Sequence, residues 1–143
     1  CLAGVEGNPD GCSQCTGGEG VCTIGSPGVT VWEWLVDLNT ASFGGHADWR
    51  LATQGELLTI VDYGKDPWTP PTVDAAIHGA SCGTGCTDVT DPLCSCTRSH
   101  GYWSASTYAP SLGGAWFVDF SVGDVNALDK TSSYSVRAVR GGS

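Results

Sequence analysis

The stretch Asp48-Trp49-Arg50-Leu51-Ala52-Thr53-Gln54-Gly55-Glu56-Leu57-Leu58 decides the fold. Thr53, with Glu56 three residues on, forms a capping box: hydroxyl and carboxylate reciprocally satisfy N–H groups that a helix leaves open at its start. Leu57, Leu58 and Val61 supply the buried face of this helix, and Gly64 stands where a C-terminal cap is expected. Upstream, Thr30-Val31-Trp32-Glu33 repeats the box. Val31, Trp34, Leu35 and Leu38 then recur at i, i+3, i+4 and i+7, the period of one helical face. This helix is expected to stop near Asn39, before Ser42-Phe43-Gly44-Gly45. Downstream, residues 64–101 read as a long connection broken by Pro67, Pro70, Pro71 and Pro92. Beyond it, Trp116, Val118 and Phe120 alternate with Phe117, Asp119 and Ser121, the period-two pattern of a sheet. Val122-Gly123-Asp124 offers a turn, residues 125–128 a partner strand and residues 134–140 a third. Two short helices, a connection and a C-terminal antiparallel β meander make an α+β chain, not the βαβ alternation of a parallel sheet.

The chain has 143 residues, 41% of them hydrophobic, enough for one domain with a core. Charged residues are 15% of the chain, below the roughly 25% of an average soluble protein. With six Trp, that composition argues against disorder. Fifteen acidic against six basic residues leave a net charge of −9. This excludes nucleic acid as a general partner, because Lys/Arg neutralisation of phosphate supplies most of that affinity. The same reasoning disfavours anionic membranes and sulfated polymers. No run approaches the roughly 18 apolar residues of a transmembrane helix. The absence of Met points to a processed product or an excised segment, and Cys1 permits a lipid anchor at a mature N-terminus.

Eight Cys, an even number among Gly-rich spacers, favour disulfides in an oxidising, extracytoplasmic compartment. Cys1, Cys12, Cys15 and Cys22 lie in residues 1–28, a Cys/Gly-rich segment too poor in apolar residues to hold itself without cross-links. Cys82, Cys86, Cys94 and Cys96 lie in the Pro-broken connection of the main unit, residues 29–143. Each set of four is expected to pair mostly within itself. Cys12-x2-Cys15 and Cys82-x3-Cys86 also have zinc-like spacing; the compartment argument favours disulfides over metal. Thr16 after Cys15 closes the option of a c-type haem.

Several runs resemble a known family. Asp48–Thr53, with Glu56-Leu57-Leu58 and Val61-Asp62, resembles the DWRLPT…EL…LVD signature of the domain family named after the C-terminal domain of a Legionella collagen-like adhesin. Residues 102–107 (YWSAST) resemble its YWSST segment, residues 115–120 (AWFVDF) its AWxVDF and residues 136–142 (VRAVRGG) its VRxVRGG. The resemblance runs in the family's order over residues 30–142. It implies a C-type lectin-like fold, here stapled by disulfides, in a bacterial secreted or surface protein. One family member adheres to sulfated polysaccharide, and related folds serve as hypervariable binding scaffolds or, in another branch, as the formylglycine-generating oxidase. Ala52 stands where the family has Pro. The TGLxW-like strand that precedes the first helix in the family, and closes the sheet beside its C-terminal strand, is missing. Either residues 21–24 take its place or the sheet keeps an open edge, a template for a strand from another chain.

The residues that carry chemistry are few. His46, His78 and His100 each stand alone, with no metalloprotease or nucleophile motif around them. The motif around the oxidase's reactive cysteine pair is also absent. Asp88 and Asp91, or Asp119, Asp124 and Asp129, are conceivable ligands of a structural calcium, but no EF-hand loop and no Glu-Pro-Asn sugar motif accompanies them, so no cofactor is expected. Trp34, Trp49, Trp103 and Trp116 read as core. Trp68, in Asp66-Pro67-Trp68-Thr69-Pro70-Pro71, is the aromatic outside these motifs: it either packs over the domain or meets a ligand or a neighbour. Sheet parity sets Phe117, Asp119, Asn126 and Leu128 away from the Trp116 side as further contact candidates. The expected role is non-enzymatic recognition or adhesion at a cell surface, toward a glycan or protein. The rival is a structural subunit of an extracellular filament or sheath that contacts copies of itself, with strand exchange between them. An oxidase of the formylglycine-generating type is the third. The −9 charge argues against carrying over the family's sulfated ligand. If all eight cysteines are in disulfides, the unreduced chain should weigh eight hydrogens less than the reduced one by intact mass spectrometry; a chelator-sensitive bound metal would show the zinc reading instead.

Overall fold

The Thr53 hydroxyl accepts the Glu56 amide at 3.2 Å while the Glu56 carboxylate accepts the Thr53 amide at 2.8 Å, so the capping box is formed in both directions. The computed structural model describes residues 15–16, 21–22, 31–66, 68–78, 96–132 and 134–141. The expected cross-links of Cys1, Cys12, Cys82, Cys86 and Cys94, and the cap at Thr30, lie outside the described residues.

Two α-helices are described, α1 (Val31–Thr40) and α2 (Gln54–Leu58). The strands are β1 (Cys15–Thr16), β2 (Val21–Cys22), β3 (Trp49–Leu51), β4 (Gly101–Thr107), β5 (Gly114–Asp119), β6 (Asp124–Asp129), β7 (Ser135–Val136) and β8 (Ala138–Arg140). The main sheet has the order β6-β5-β4-β7, while β3 with β8 and β1 with β2 form separate antiparallel pairs. Strand β7 is parallel to β4; the other neighbours in the main sheet are antiparallel.

Helix α1 stops one residue past Asn39, and Val31 and Leu35 on its predicted face are buried. Helix α2 is shorter than its apolar run suggests. It ends at Leu58 with Thr59 as cap, and Gly64 instead sits in a turn where its amide donates to Asp62 Oδ1 at 2.9 Å. The hairpin of β5 and β6 forms as expected, but the single third strand over residues 134–140 does not. At Arg137 the chain changes sheets: the Arg137 carbonyl accepts the Ala52 amide at 3.4 Å, leaving β7 beside β4 and β8 beside β3. The C-terminal part is therefore not a plain meander. Strand β4 has no alternation to betray it, because Tyr102 and Trp103 are both buried, on opposite faces.

The main sheet is covered on both sides. Helix α1 packs Val31 and Leu35 against Trp103, Ala115, Phe117 and Val136, with Leu51 from β3. On the other face Ala52, Leu57 and Val73 meet Tyr102, Val118 and Phe120. Phe117, expected to face outward as a contact residue, is therefore only 7% exposed. Its cover is α1 and Tyr134, whose ring stacks on it at 4.5 Å between centroids. Strand β2 pairs with β1, setting Cys22 opposite Cys15, and comes within 8 Å (Cα–Cα) of β7.

Gly101 is required by this packing. A Cβ there would lie 2.6 Å from the Tyr134 ring and 3.1 Å from Phe117, and the Tyr134 ring is itself held by Trp103 and His100. Gly101→Ala is expected to destabilise the chain by about 1–3 kcal/mol through overpacking. The measurement is the denaturation midpoint; an unchanged midpoint would show that the ring moves aside freely.

Candidate functional site

The polar groups of the family-like motif residues are bonded to other parts of the same chain. Arg50 Nη1 donates to Glu56 Oε2 at 2.8 Å and Nη2 to Glu56 Oε1 at 2.6 Å, a two-pronged pair. These bonds, followed by those from the Thr53 amide and hydroxyl, hold the Glu56 carboxyl down at about 2, from an ordinary 4.5. Trp49 donates its amide to Asn39 Oδ1 at 2.7 Å, and Asn39 Nδ2 donates to the Trp49 carbonyl at 2.9 Å. The Asn39 side chain thus imitates a strand neighbour and ties the end of α1 to β3. Trp49 Nε1 donates to the Phe43 carbonyl, and Arg140 Nε donates to Asp48. Ser104 Oγ donates to the Trp116 carbonyl, and Tyr102 Oη accepts the Arg98 amide. Arg137 Nη2 donates to Thr97 Oγ1 at 2.6 Å and to the Cys96 carbonyl at 3.3 Å. Thr97 in turn donates its amide to His78 Nδ1 and its hydroxyl to the Ile77 carbonyl, closing the two described ends of the 78–96 connection on each other.

Between α2 and β4 the chain forms a stem and a tip. The stem pairs the two arms: Val61 bridges Val73, the Asp62 amide donates to the Thr72 carbonyl and the Asp74 amide to the Ile60 carbonyl. The amide and the hydroxyl of Thr72 both donate to the Phe120 carbonyl, at 2.7 and 3.0 Å, fastening the stem to the end of β5. Gly123, in the turn after β5, presses on it as well; a Cβ there would sit 3.1 Å from Val61, and its φ of +77° is one that side chains resist.

Residues 63–66 and 68–71 form the tip. Lys65 Nζ donates across it to the Pro71 carbonyl at 2.8 Å. Asp66 Oδ1 accepts the Trp68 amide at 2.9 Å, and the Asp66 carbonyl accepts both the amide and the hydroxyl of Thr69. On this tied framework Trp68 is 89% and Tyr63 74% exposed. Asp62 and Asp66 each use Oδ1 on a tip amide, and no hydrogen bond reaches their Oδ2 among the described residues.

The sequence-predicted contact residues do not gather around Trp68. Phe117 is core. Asp119 builds the β5–β6 turn: its Oδ1 accepts the Ser121 amide and hydroxyl at 2.8 and 2.6 Å. Asn126 lies opposite Phe117 and Leu128 opposite Ala115, which sets both on the α1 side of the sheet, whereas the stem belongs to the other side. Leu128 is part exposed there, and Asn126 Oδ1 accepts the next amide, Ala127, at 3.2 Å. Tyr63 was missed by sequence reasoning. Its signal was available: an aromatic followed by Gly at the start of a polar, Pro-rich connection has no apolar period to bury it. Among the described residues no group of three or more His, Cys, Asp or Glu is arranged to hold a metal ion, and no helix is long and apolar enough to cross a membrane.

The family model of the Lcl C-terminal domain matches residues 12–140. No curated protein and no solved structure matches the chain.

The Arg50–Glu56 geometry sets a pH dependence. Because folding lowers the Glu56 pKa, the stability it contributes is present above its ordinary 4.5 and disappears as pH falls toward about 2. Both side chains are about two-fifths exposed, so salt should weaken the effect. Glu56→Gln is expected to lower the melting temperature at pH 7, less at pH 4, and only slightly at pH 2. An equal deficit at all three would mean that the carboxylate charge is irrelevant.

Proposed function

The chain belongs to the Lcl C-terminal domain family, and from that premise we propose that it is an extracytoplasmic, non-enzymatic recognition and adhesion module of a bacterial surface or secreted protein. The observation that carries this reading is the tip. Two aromatic rings stand 74% and 89% exposed on a segment whose backbone is tied at both ends. Exposed Trp and Tyr on an ordered loop are what binding surfaces use, since large rigid rings add contact area at little entropic cost. A lone exposed ring needs no explanation; two on one preorganised tip do.

The fold is read as C-type lectin-like and the cysteines as disulfides. Supporting the latter, the β1–β2 register makes the Cα atoms of Cys15 and Cys22 direct cross-strand partners, at the roughly 4.5–5.5 Å separation of opposed antiparallel residues that a disulfide can span. The filament reading has less behind it. Overlapping all six residues of β6 with those of an antiparallel copy would set Asp124 against Asp129 at both ends, and like charges directly opposite are destabilising.

The test is adhesion of the full chain to an array of glycans and immobilised extracellular matrix proteins. Saturable binding to at least one surface is expected, with a loss of at least about ten-fold in the Tyr63→Ala/Trp68→Ala double variant and an unchanged melting temperature, as two such rings are typical hot-spot residues. Binding that ignores the double substitution would reject the tip as the recognition surface.

A further inference from the structure

We infer that the tip captures a cationic protein segment, with lysine or arginine side chains seated on Trp68 and Tyr63. The inference rests on the recognition reading above and gives it a partner class. Asp62 directly precedes Tyr63 and Asp66 stands two residues before Trp68, and each carboxylate spends Oδ1 on a backbone amide of this segment while Oδ2 accepts nothing among the described residues. The Asp66 carboxylate lies 2.9 Å from the backbone amide of Trp68 itself, so charge and indole belong to one turn. The tip's cation, Lys65, is committed to the Pro71 carbonyl 2.8 Å away. It braces the loop rather than offering a charge to an anion.

An indole face attracts a cation through its quadrupole, most strongly among the aromatic side chains. A carboxylate beside it adds an ion pair to the same group. A neutral sugar would use the ring and leave the carboxylate charge idle; a sulfated one would meet repulsion from the carboxylates and from a chain of net charge −9. A basic segment uses ring, carboxylates and long-range field together.

The experiment titrates the full chain with a capped tetra-arginine peptide by calorimetry at low and at physiological salt, with cellohexaose and heparin as comparators. Saturable peptide binding that weakens with salt is expected. Trp68→Ala, which changes no charge, should weaken it about five-fold, as should the Asp62→Asn/Asp66→Asn pair. Asp37→Asn, which removes an exposed carboxylate from α1 on the other side of the sheet, should leave it nearly unchanged. The inference is overturned if Trp68→Ala binds the peptide as well as the parent, if Asp37→Asn costs as much as the Asp62→Asn/Asp66→Asn pair, or if cellohexaose or heparin binds more tightly than the peptide. If the chain adheres to a glycan surface through Trp68 yet ignores the peptide, the cationic partner fails and the recognition reading stands. If Trp68 matters to neither, both fail.

Discussion

The Glu56 carboxylate is reached by four donors from two directions: both prongs of the Arg50 guanidinium, and the amide and hydroxyl of Thr53. Arg50 belongs to β3 and Thr53 to the cap of α2, so one side chain sets the angle between a strand and the helix that follows three residues later. Ala52, between them, is buried and serves both sheets: its amide donates to the Arg137 carbonyl and its carbonyl accepts the Ala105 amide at 2.8 Å. Through these bonds β3 is aligned for β8, the chain is turned from β7 into β8, and the apolar side of α2 is brought to β4 and β5. A helix of five residues has almost no stability of its own. Here it persists because its first turn is held electrostatically and Leu57 is inserted into the core.

Once β3 and α2 are set, the two faces of the main sheet must be filled separately. Buried side chains alternate along β4 and β5 toward α1 and toward the stem, so neither strand has a wet face in its centre. This explains the ring packing around Trp103, where Phe117 and Tyr134 meet its indole edge-on at 5.8 and 5.1 Å. It also explains why Gly stands at position 101, beside the Tyr134 ring.

Much of the frame was legible in the sequence, because its signals are local. A capping box needs two residues three apart, and α1 shows its face within eight residues. What escaped was long-range. The change of sheets at Arg137 depends on Ala52, 85 positions earlier in the chain. Strand β4 is buried on both faces and so carries no period. Parity set Phe117 away from the Trp116 side as a contact candidate, and α1 covers the side it faces. For the site, Trp68 stood out through its Pro-rich surroundings, whereas the place of Tyr63 on the same tip follows from a stem that the Val61–Val73 bridge and the bonds of Thr72 to Phe120 create.

The family signature and the exposed tip are thus different kinds of sequence. Arg50, Thr53, Glu56, Trp49, Ser104 and Arg137 spend their polar groups on other parts of the same chain. A ligand competing for any of them would have to undo a joint of the fold, so these residues are poorly placed to bind and well placed to be shared among proteins that bind different things. The tip is the opposite case. Its backbone is satisfied by Lys65, Asp66 and Thr69, and the outward rings contribute nothing to that satisfaction. Tyr63 and Trp68 can therefore change without cost to the frame. On the recognition reading proposed above, that freedom suits a recognition loop, and specificity would then lie outside the motifs by which the family is recognised.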